Sequence, residues 1–263
     1  MELGLKGKVA VITAASKGLG KAVAESLARE GVNLAICSRS KERIENTAQE
    51  IKDKFNTEVL PFQCNVTSID DIKNFEKNVI SKYGTIHILF TNAGGPPSGK
   101  ALDFSPDEYE KAIQLNLMST IKLIYTFLPY MKKQKWGRII ASTSISVKQP
   151  IPTIALSNVS RVGVVAFIKT LINEISELNI TANVVAPGYI MTERVIELLK
   201  DREKREGKNF DILLKELSKN IPTKRIGKPE EFGDLVAFLS SDKAGYINGE
   251  TILIDGGMYR GLF

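Results

Sequence analysis

The chain has 263 residues, 43% of them apolar and 25% charged, with a net charge of +6. That length buries a substantial core, and the composition excludes a disordered chain or a fibre. The positive excess is small and scattered. Its densest run, residues 200–208 (KDREKREGK), also carries acids and reads as a solvated helix face, so no nucleic-acid partner is expected. No uninterrupted apolar run reaches the roughly 18 residues of a membrane span. Residues 1–6 (MELGLK) lack the apolar centre of an export signal, so the expectation is a cytoplasmic protein with no membrane partner.

The first predicted strand, 9–13, runs into Thr13-Ala14-Ala15-Ser16-Lys17-Gly18-Leu19-Gly20 and a helix over 18–30. Glycines here let the chain turn sharply and bring backbone amides at the helix N-terminus towards a pyrophosphate. No Gly-Lys-Ser/Thr follows at the spacing of a nucleotide triphosphatase loop, so that reading fits less well. The second strand, 33–38, ends in Cys37-Ser38-Arg39-Ser40, where an NAD-specific site would carry an acid for the ribose hydroxyls. An arginine flanked by serines, with Lys17 as a second cation, suits the 2′-phosphate of NADP(H) instead. Two exposed surface cations are the competing reading, and NAD(H) is the second choice of cofactor.

A helix over 41–54, a strand over 58–64, a helix over 69–82 and a strand over 86–92 follow. Ser105-Pro106-Asp107-Glu108 then opens a long helix, 106–133, with a cap, a first-turn proline and acids at the positive end. Strands at 138–142, 181–186 and 251–254 alternate with helices at 153–178 and 229–240. Nearly all-apolar strands alternating with helices imply an α/β, doubly wound parallel sheet with right-handed crossovers. No linker divides residues 1–263. The charged stretch 193–228 reads either as a substrate lid or as a surface excursion. Cys37 and Cys64 form no C-x-x-C pair and read as buried apolar residues, so no metal site is expected. The single histidine, His87, sits in an apolar run and reads as a strand residue.

Taken in order, the loop at 13–20, Asn92-Ala93-Gly94-Gly95, Asn116, Ser142-Thr143-Ser144, Pro187-Gly188, the segment 225–231 (RIGKPEE) and Asp255-Gly256-Gly257 resemble the motifs of the short-chain dehydrogenase/reductase family. Within it the chain is similar to the 3-oxoacyl-carrier-protein reductases. The resemblance implies a Rossmann-type domain with a seven-stranded parallel sheet, assembled as a homotetramer. It also implies hydride transfer between NADP(H) and a small carbonyl or alcohol substrate. By the same resemblance Thr13, Ser16, Lys17, Gly18, Leu19 and Gly20 surround the pyrophosphate and adenosine, and Ser38 and Arg39 select the 2′-phosphate. Asn65 and Val66 stand at the adenine, with Asn in place of the family's Asp. Asn92, Ala93 and Gly94 would lie beside the adenosine ribose, and Pro187, Gly188, Ile190 and Thr192 would hold the nicotinamide carboxamide. Ala14 occupies the position of the family's first glycine, at a cost of about 1 kcal/mol if the turn needs a positive φ.

The resemblance breaks at the proton-handling residues. The family uses a tyrosine, a lysine four residues later and a serine thirteen residues before the tyrosine. Aligned on the segment 161–167 (RVGVVAF), those positions hold Ser157, Arg161 and Ser144, while Asn116 is retained. No tyrosine lies between Tyr130 and Tyr189. Serine ionises far above a phenol, and arginine keeps its proton. Two readings stay open. One is an oxidoreductase in which Arg161 and Ser144 polarise a carbonyl or bind a substrate carboxylate, Arg161 also holds the nicotinamide ribose, and water or another side chain supplies the proton. The other is a dinucleotide-binding sensor or assembly subunit with little turnover. Tyr189 and Lys148 are the nominated substitute donors. The substrate pocket is expected from residues 95–100, 146–153 and 193–228, with Pro96, Pro97, Pro150 and Pro152 stiffening its rim. Sugars, 3-oxoacyl thioesters and small keto compounds all fit that description.

Overall fold

The computed structural model describes residues 2–262. Its elements in chain order are β1 (Val9–Thr13), α1 (Gly18–Arg29), β2 (Asn33–Ser38), α2 (Lys41–Phe55), β3 (Val59–Gln63), α3 (Ile69–Tyr83), β4 (Ile88–Thr91), α4 (Pro106–Ile113), α5 (Ser119–Gln134), β5 (Gly137–Ser142), α6 (Ala155–Ile175), β6 (Ile180–Pro187), α7 (Glu193–Glu206), α8 (Phe210–Lys219), α9 (Pro229–Leu239) and β7 (Thr251–Ile254). The strands form one seven-stranded parallel sheet in the order β3-β2-β1-β4-β5-β6-β7. Side chains alternate across it. In β1, Ala10 and Ile12 face a layer with Val23 and Leu27 of α1 and Phe232 and Val236 of α9. Val11 faces the opposite layer, with Phe75 of α3, Phe127 of α5 and Ile168 of α6. Both faces are thus covered, which is why the central strands are mostly apolar, with polar residues only towards their ends. Chain order reverses at β1, so the connections leaving β1 and β4 diverge at their carboxyl ends and open a cleft there.

Several boundaries differ from the sequence expectation. The helical run from Pro106 is continuous to Gln134, but Gln114–Met118 is a wide π turn carrying Asn116. One extra residue in a turn leaves the apolar period nearly unchanged, so the pattern of side chains does not reveal it. Strands expected at 58–64 and 86–92 shorten to Val59–Gln63 and Ile88–Thr91, although Glu58, Cys64 and His87 still bond through their backbones to the neighbouring strands. The helix expected at 153–178 begins at Ala155 and gives way at Ser176–Leu178 to a tighter turn. Among the described residues, Ala155–Leu178 is the one helical segment long and apolar enough to cross a membrane. In the fold its Val164, Ile168, Leu171 and Ile175 pack into the core layer beneath the sheet.

A buried arginine closes the amino end of the sheet. Arg138 is 1% exposed, and it donates to the carbonyls of Ser241 (3.2 Å), Gly137 (2.9 Å) and Asn179 (3.0 Å) and to the Asp242 carboxylate (3.0 Å). Its charge is matched and four of its five N–H donors are filled, as burial of a guanidinium requires. Nearby, the His87 imidazole Nδ1 accepts the Val9 backbone N–H at 3.0 Å and its ring packs edge-on against Trp136. His87 is therefore a structural residue. Burial, and after it the Lys8 charge, holds its pKa down to about 4. Cys37 and Cys64 are free thiols buried among apolar side chains, and the Cys37 thiol is pushed well up by its hydrogen bond with Cys64 and by burial.

The turn from β1 into α1 contains the one backbone irregularity anticipated from sequence. Ala14 sits at φ +51° and Gly18 at +57°, in the left-handed region. Ala14→Gly is expected to relieve about 1 kcal/mol, raising Tm by roughly 2–4 °C in a thermal melt; a lowered Tm would contradict the assigned strain. For His87 the native state binds fewer protons than the unfolded state between about pH 4 and 6.5. Its contribution is complete above 6.5 and is lost as pH falls towards 4. Urea unfolding at pH 7, 6 and 5 is expected to show declining stability, and His87→Gln, whose amide oxygen can accept the Val9 N–H, is expected to flatten that decline.

Candidate active site

The site is built on the carboxyl edge of the sheet, beginning with the loop after β1. Lys17 caps α1 without a side-chain hydrogen bond to the helix, and the first turn holds no acid, so the positive end of the helix is open to an anion. A Cβ on Gly20 would run into the Ala14 carbonyl and lie 2.9 Å from Ala15 Cα, so only glycine lets the helix start this close beneath the loop. The Ala15 N–H donates to the Cys37 carbonyl at 3.0 Å, and the Ser16 carbonyl accepts from Thr47 Oγ1 at 3.2 Å, which anchors the loop on β2 and α2. Thr13 is fully buried. Its hydroxyl donates to the Asn92 carbonyl (2.7 Å) and accepts the Asn92 N–H (2.8 Å), so its part is to clamp the loop after β4.

After β2, Ser38 Oγ donates to the Ser40 carbonyl at 3.0 Å and Gln63 Nε2 donates to the Arg39 carbonyl at 3.1 Å. The Arg39 side chain is exposed and lines a cleft of about 400 Å³ with Phe62, Gln63, Asn65, Asp71 and Asn74. Asn65 Oδ1 accepts from the Thr67 N–H and hydroxyl, while Val66 is buried beneath it. Asn92 and Ala93 are half-buried, and Gly94 is exposed at the point where the cleft opens. An open helix N-terminus, a glycine cradle and an arginine beside a polar cleft fit a dinucleotide bearing an extra phosphate. Lys17 departs from that picture, because its ammonium lies 3.5 Å from Glu197 of α7. Both groups are half-exposed, so the pair is weak.

The far end of the edge is equally constrained. The Gly188 N–H donates to the Ile254 carbonyl at 3.0 Å, and a Cβ there would sit 2.8 Å from Asp255 Cβ. Pro187-Gly188 and Asp255-Gly256-Gly257 are thus two halves of one close approach. Ile190 is buried beside Gly227, whose carbonyl accepts the Met191 N–H at 2.8 Å. Thr192 caps α7 with its hydroxyl left out of the cap. Arg225 grips Glu231 through two bonds, at 2.7 and 2.5 Å, and Glu231 also accepts the Lys228 N–H, which fixes the start of α9. The Arg225 guanidinium, first among the causes, brings the Glu231 carboxyl down to about 2.

One face of α6 completes the site. Ser157, Ser160 and Arg161, spaced i, i+3, i+4, are all buried. Arg161 Nε donates to Ser157 Oγ at 3.1 Å and its Nη1 to the Ser142 carbonyl at 3.2 Å. Burial alone pulls the guanidinium down to about 10. Asn116 Nδ2 donates to Ser160 Oγ at 2.9 Å, while its Oδ1 is buried without a partner. Ser144 lies two residues beyond Ser142, and its Oγ accepts the Ser146 N–H at 3.2 Å. The structure therefore joins Ser157 to Arg161 directly and Asn116 to the same helix through Ser160. Ser160 and the Ser142 carbonyl were not singled out from sequence; the i, i+3, i+4 polar spacing on an otherwise apolar helix is the signal for the first. Neither nominated substitute donor joins this unit. Tyr189 packs in the apolar cluster of α7 and α8, where burial raises its pKa, and Lys148 is exposed.

The stretch 193–228 forms α7 and α8 around Val195, Leu199, Leu213, Ile221 and Ile226. Arg202, Glu206, Lys208 and Glu216 make an ion-pair network on these two helices. The N-terminal end of α7 spans the cleft: Glu197 reaches Lys17, and Arg194 Nη2 donates to Ser98 Oγ at 3.2 Å and to the Pro96 carbonyl at 3.4 Å.

Residues 13–259 match the family model described as enoyl-(acyl carrier protein) reductase. The 3-oxoacyl-[acyl-carrier-protein] reductase FabG of Staphylococcus epidermidis is 35% identical over 253 residues, covering 96% of this chain and 99% of its own. Among solved structures, the L-sorbose reductase of Gluconobacter frateurii, complexed with NADPH and L-sorbose, superposes with a TM-score of 0.96 at 32% identity and full coverage of both chains. YwfH, an NADPH-dependent reductase involved in bacilysin biosynthesis, superposes with a TM-score of 0.93 at 26% identity, covering 98% of this chain and 100% of that one. Motif order, sheet order and these matches agree: the chain belongs to the short-chain dehydrogenase/reductase family and is FabG-like in sequence.

Proposed function

We propose that this protein is an NADP(H)-dependent oxidoreductase that interconverts the carbonyl and alcohol forms of a small substrate by an altered proton route. The observation that carries the reading is the pairing of two features on one sheet edge. One is the open, glycine-cradled helix end beside Arg39, and the other is the buried Ser157–Arg161 unit. Relatives crystallised with NADPH, or described as NADPH-dependent, support the cofactor, and the FabG and sorbose reductase relatives support a carbonyl substrate.

When bound, the cofactor supplies or accepts the hydride. The amides of Gly18, Leu19 and Gly20 would hold its pyrophosphate, with Ser16 and Lys17 alongside, and Ser38 and Arg39 its 2′-phosphate. Asn65 and Val66 would meet the adenine, and Asn92, Ala93 and Gly94, held by Thr13, the adenosine ribose. Pro187, Gly188, Ile190 and Thr192 would orient the carboxamide. Arg161 stabilises negative charge on a substrate oxygen and holds the nicotinamide ribose; at a pKa of about 10 it retains its proton at neutral pH. Ser144 adds a hydrogen bond to that oxygen. Ser157 is oriented by the Arg161 Nε–H, and water supplies the proton that a tyrosine would otherwise give. The reading includes a homotetramer, for which exposed Tyr125 (71%) on α5 and Val159 (50%) and Val162 (49%) on α6 offer an apolar surface.

Arg39→Asp is expected to weaken NADPH binding by roughly 10–100-fold while changing NADH much less, as measured by fluorescence titration. Equal losses for the two cofactors would remove Arg39 from the 2′-phosphate. Turnover of NADPH and NADP⁺ across sugars, ketoacyl thioesters, diketones and keto acids tests the reaction itself. Arg161→Ala is expected to lower kcat/KM by about 10²–10³ with NADPH binding intact, with Ser157→Ala run beside it. Silence of the wild type across the panel despite tight NADPH binding would replace this reading with a non-catalytic dinucleotide-binding protein. So would activity that arises only in the Ser157→Tyr, Arg161→Lys double variant.

A further inference from the structure

Two arginines are buried among the described residues, and they are treated differently. Arg138 has a carboxylate partner and acceptors for four of its five N–H donors. Arg161, 8% exposed, donates only to two neutral oxygens, Ser157 Oγ and the Ser142 carbonyl, and no carboxylate pairs with it. A guanidinium has five N–H donors, so three remain, including both hydrogens of Nη2 and one of Nη1 along its terminal edge. Burying such a charge unpaired costs several kcal/mol, and arginine does not escape by deprotonating. The polar groups nearest to it in the chain are neutral as well: Ser157 and Ser160 on the same helix face, and Ser142 and Ser144 at the end of β5. Asn116 Oδ1 and Ser146 Oγ are buried and still lack partners.

The cofactor does not supply the missing anion. Its pyrophosphate belongs at the N-terminus of α1 and its 2′-phosphate at Arg39 after β2, whereas Arg161 is held at the end of β5, on the far side of β4. A ribose hydroxyl takes one donor but brings no charge. The anion has to arrive with the substrate.

We infer that the substrate is a 2-keto acid, or in the reverse direction a 2-hydroxy acid, whose carboxylate docks on the free edge of Arg161. The inference rests on the oxidoreductase reading and adds the substrate class to it. Two parallel N–H bonds from that edge match a carboxylate, and this geometry is the reason for arginine rather than lysine here. Ser144, two residues past the carbonyl that Arg161 grips, is placed for the adjacent keto oxygen. The carbonyl carbon takes hydride from the reduced nicotinamide, the C=O π pair moves onto oxygen, and that oxygen takes a proton from water. The products are the 2-hydroxy acid and the oxidised cofactor. Arg161 is thus a specificity-determining residue as well as a source of charge stabilisation.

The test uses the full chain saturated with NADPH and compares straight-chain 2-keto acids with their methyl esters and with neutral ketones of the same length. The acids are expected to exceed the esters in kcat/KM by roughly 100-fold, and Arg161→Gln is expected to erase that ratio while Arg161→Lys restores part of it. Because Arg161→Gln also disturbs the buried bonds to Ser157 and Ser142, calorimetric titration of oxamate, an unreactive 2-keto acid analogue, into the wild-type NADPH complex provides a readout without turnover. Binding of oxamate there, with at least a roughly tenfold loss on exchange for its neutral diamide oxamide, is the expected result. Esters or ketones turned over as well as the acids would overturn the keto-acid assignment and leave the oxidoreductase reading standing. Oxamate binding with no turnover of any compound would sustain the anion site and overturn the oxidoreductase reading. Absence of oxamate binding to the wild-type complex would overturn the inference.

Discussion

The clamp between Thr13 and Asn92 sits where everything else in this molecule converges. One buried hydroxyl both donates to and accepts from the Asn92 backbone, joining the ends of β1 and β4 at the point where the strand order reverses. The reversal opens the cleft, and the clamp keeps its two lips in register. The sheet beneath is largely apolar on both faces, and its buried Asn183 is tied up by the Ile247 carbonyl and the Glu250 N–H, so the polar groups open to a ligand lie in the loops that leave its carboxyl ends. The glycine loop, Arg39, Asn65, Asn92, Ser144 and Pro187 all occupy that one rim.

Charge is distributed along the rim in a consistent way. At the dinucleotide end the positive helix terminus and Arg39 face solvent, where a phosphate can reach them at little desolvation cost. At the opposite end Arg161 is buried and held by neutral oxygens, so its field acts in a low-dielectric setting and is far stronger on whatever lies against it. The contrast with Arg138, neutralised by Asp242 at the other edge of the sheet, separates an arginine whose charge is matched within the fold from one held by neutral oxygens.

The helices α7 and α8 tie these two ends together. They carry a small apolar cluster of their own and reach the main body through Glu197 to Lys17 and Arg194 to the Pro96–Ser98 segment. Contacts of this kind, exposed and worth little individually, hold an element in place without locking it.

Much of this was legible in the sequence. The nearly all-apolar strands and the intervening helical segments pointed to a parallel α/β sheet, because strands covered on both faces carry apolar residues on both and need helices between them. Gly18, Gly20 and the positive φ expected at residue 14 followed from the turn that the loop must make. The family resemblance, and not spacing by itself, set Ser157 and Arg161 at the positions of the family's tyrosine and lysine as an expectation. What the linear pattern could not decide is which side chains meet. The π turn that carries Asn116 leaves no mark on periodicity, and the partner of Asn116 is Ser160, 44 residues away. Tyr189 was a candidate by sequence proximity to the site, yet its ring belongs to the cluster of α7 and α8. Lys17 was assigned to a phosphate, and its partner here comes from a helix 180 residues later. Local propensity is written into each segment by its own residues; hydrogen-bond partners and unmatched buried charges exist only once distant segments are packed, and the tertiary structure alone decided them.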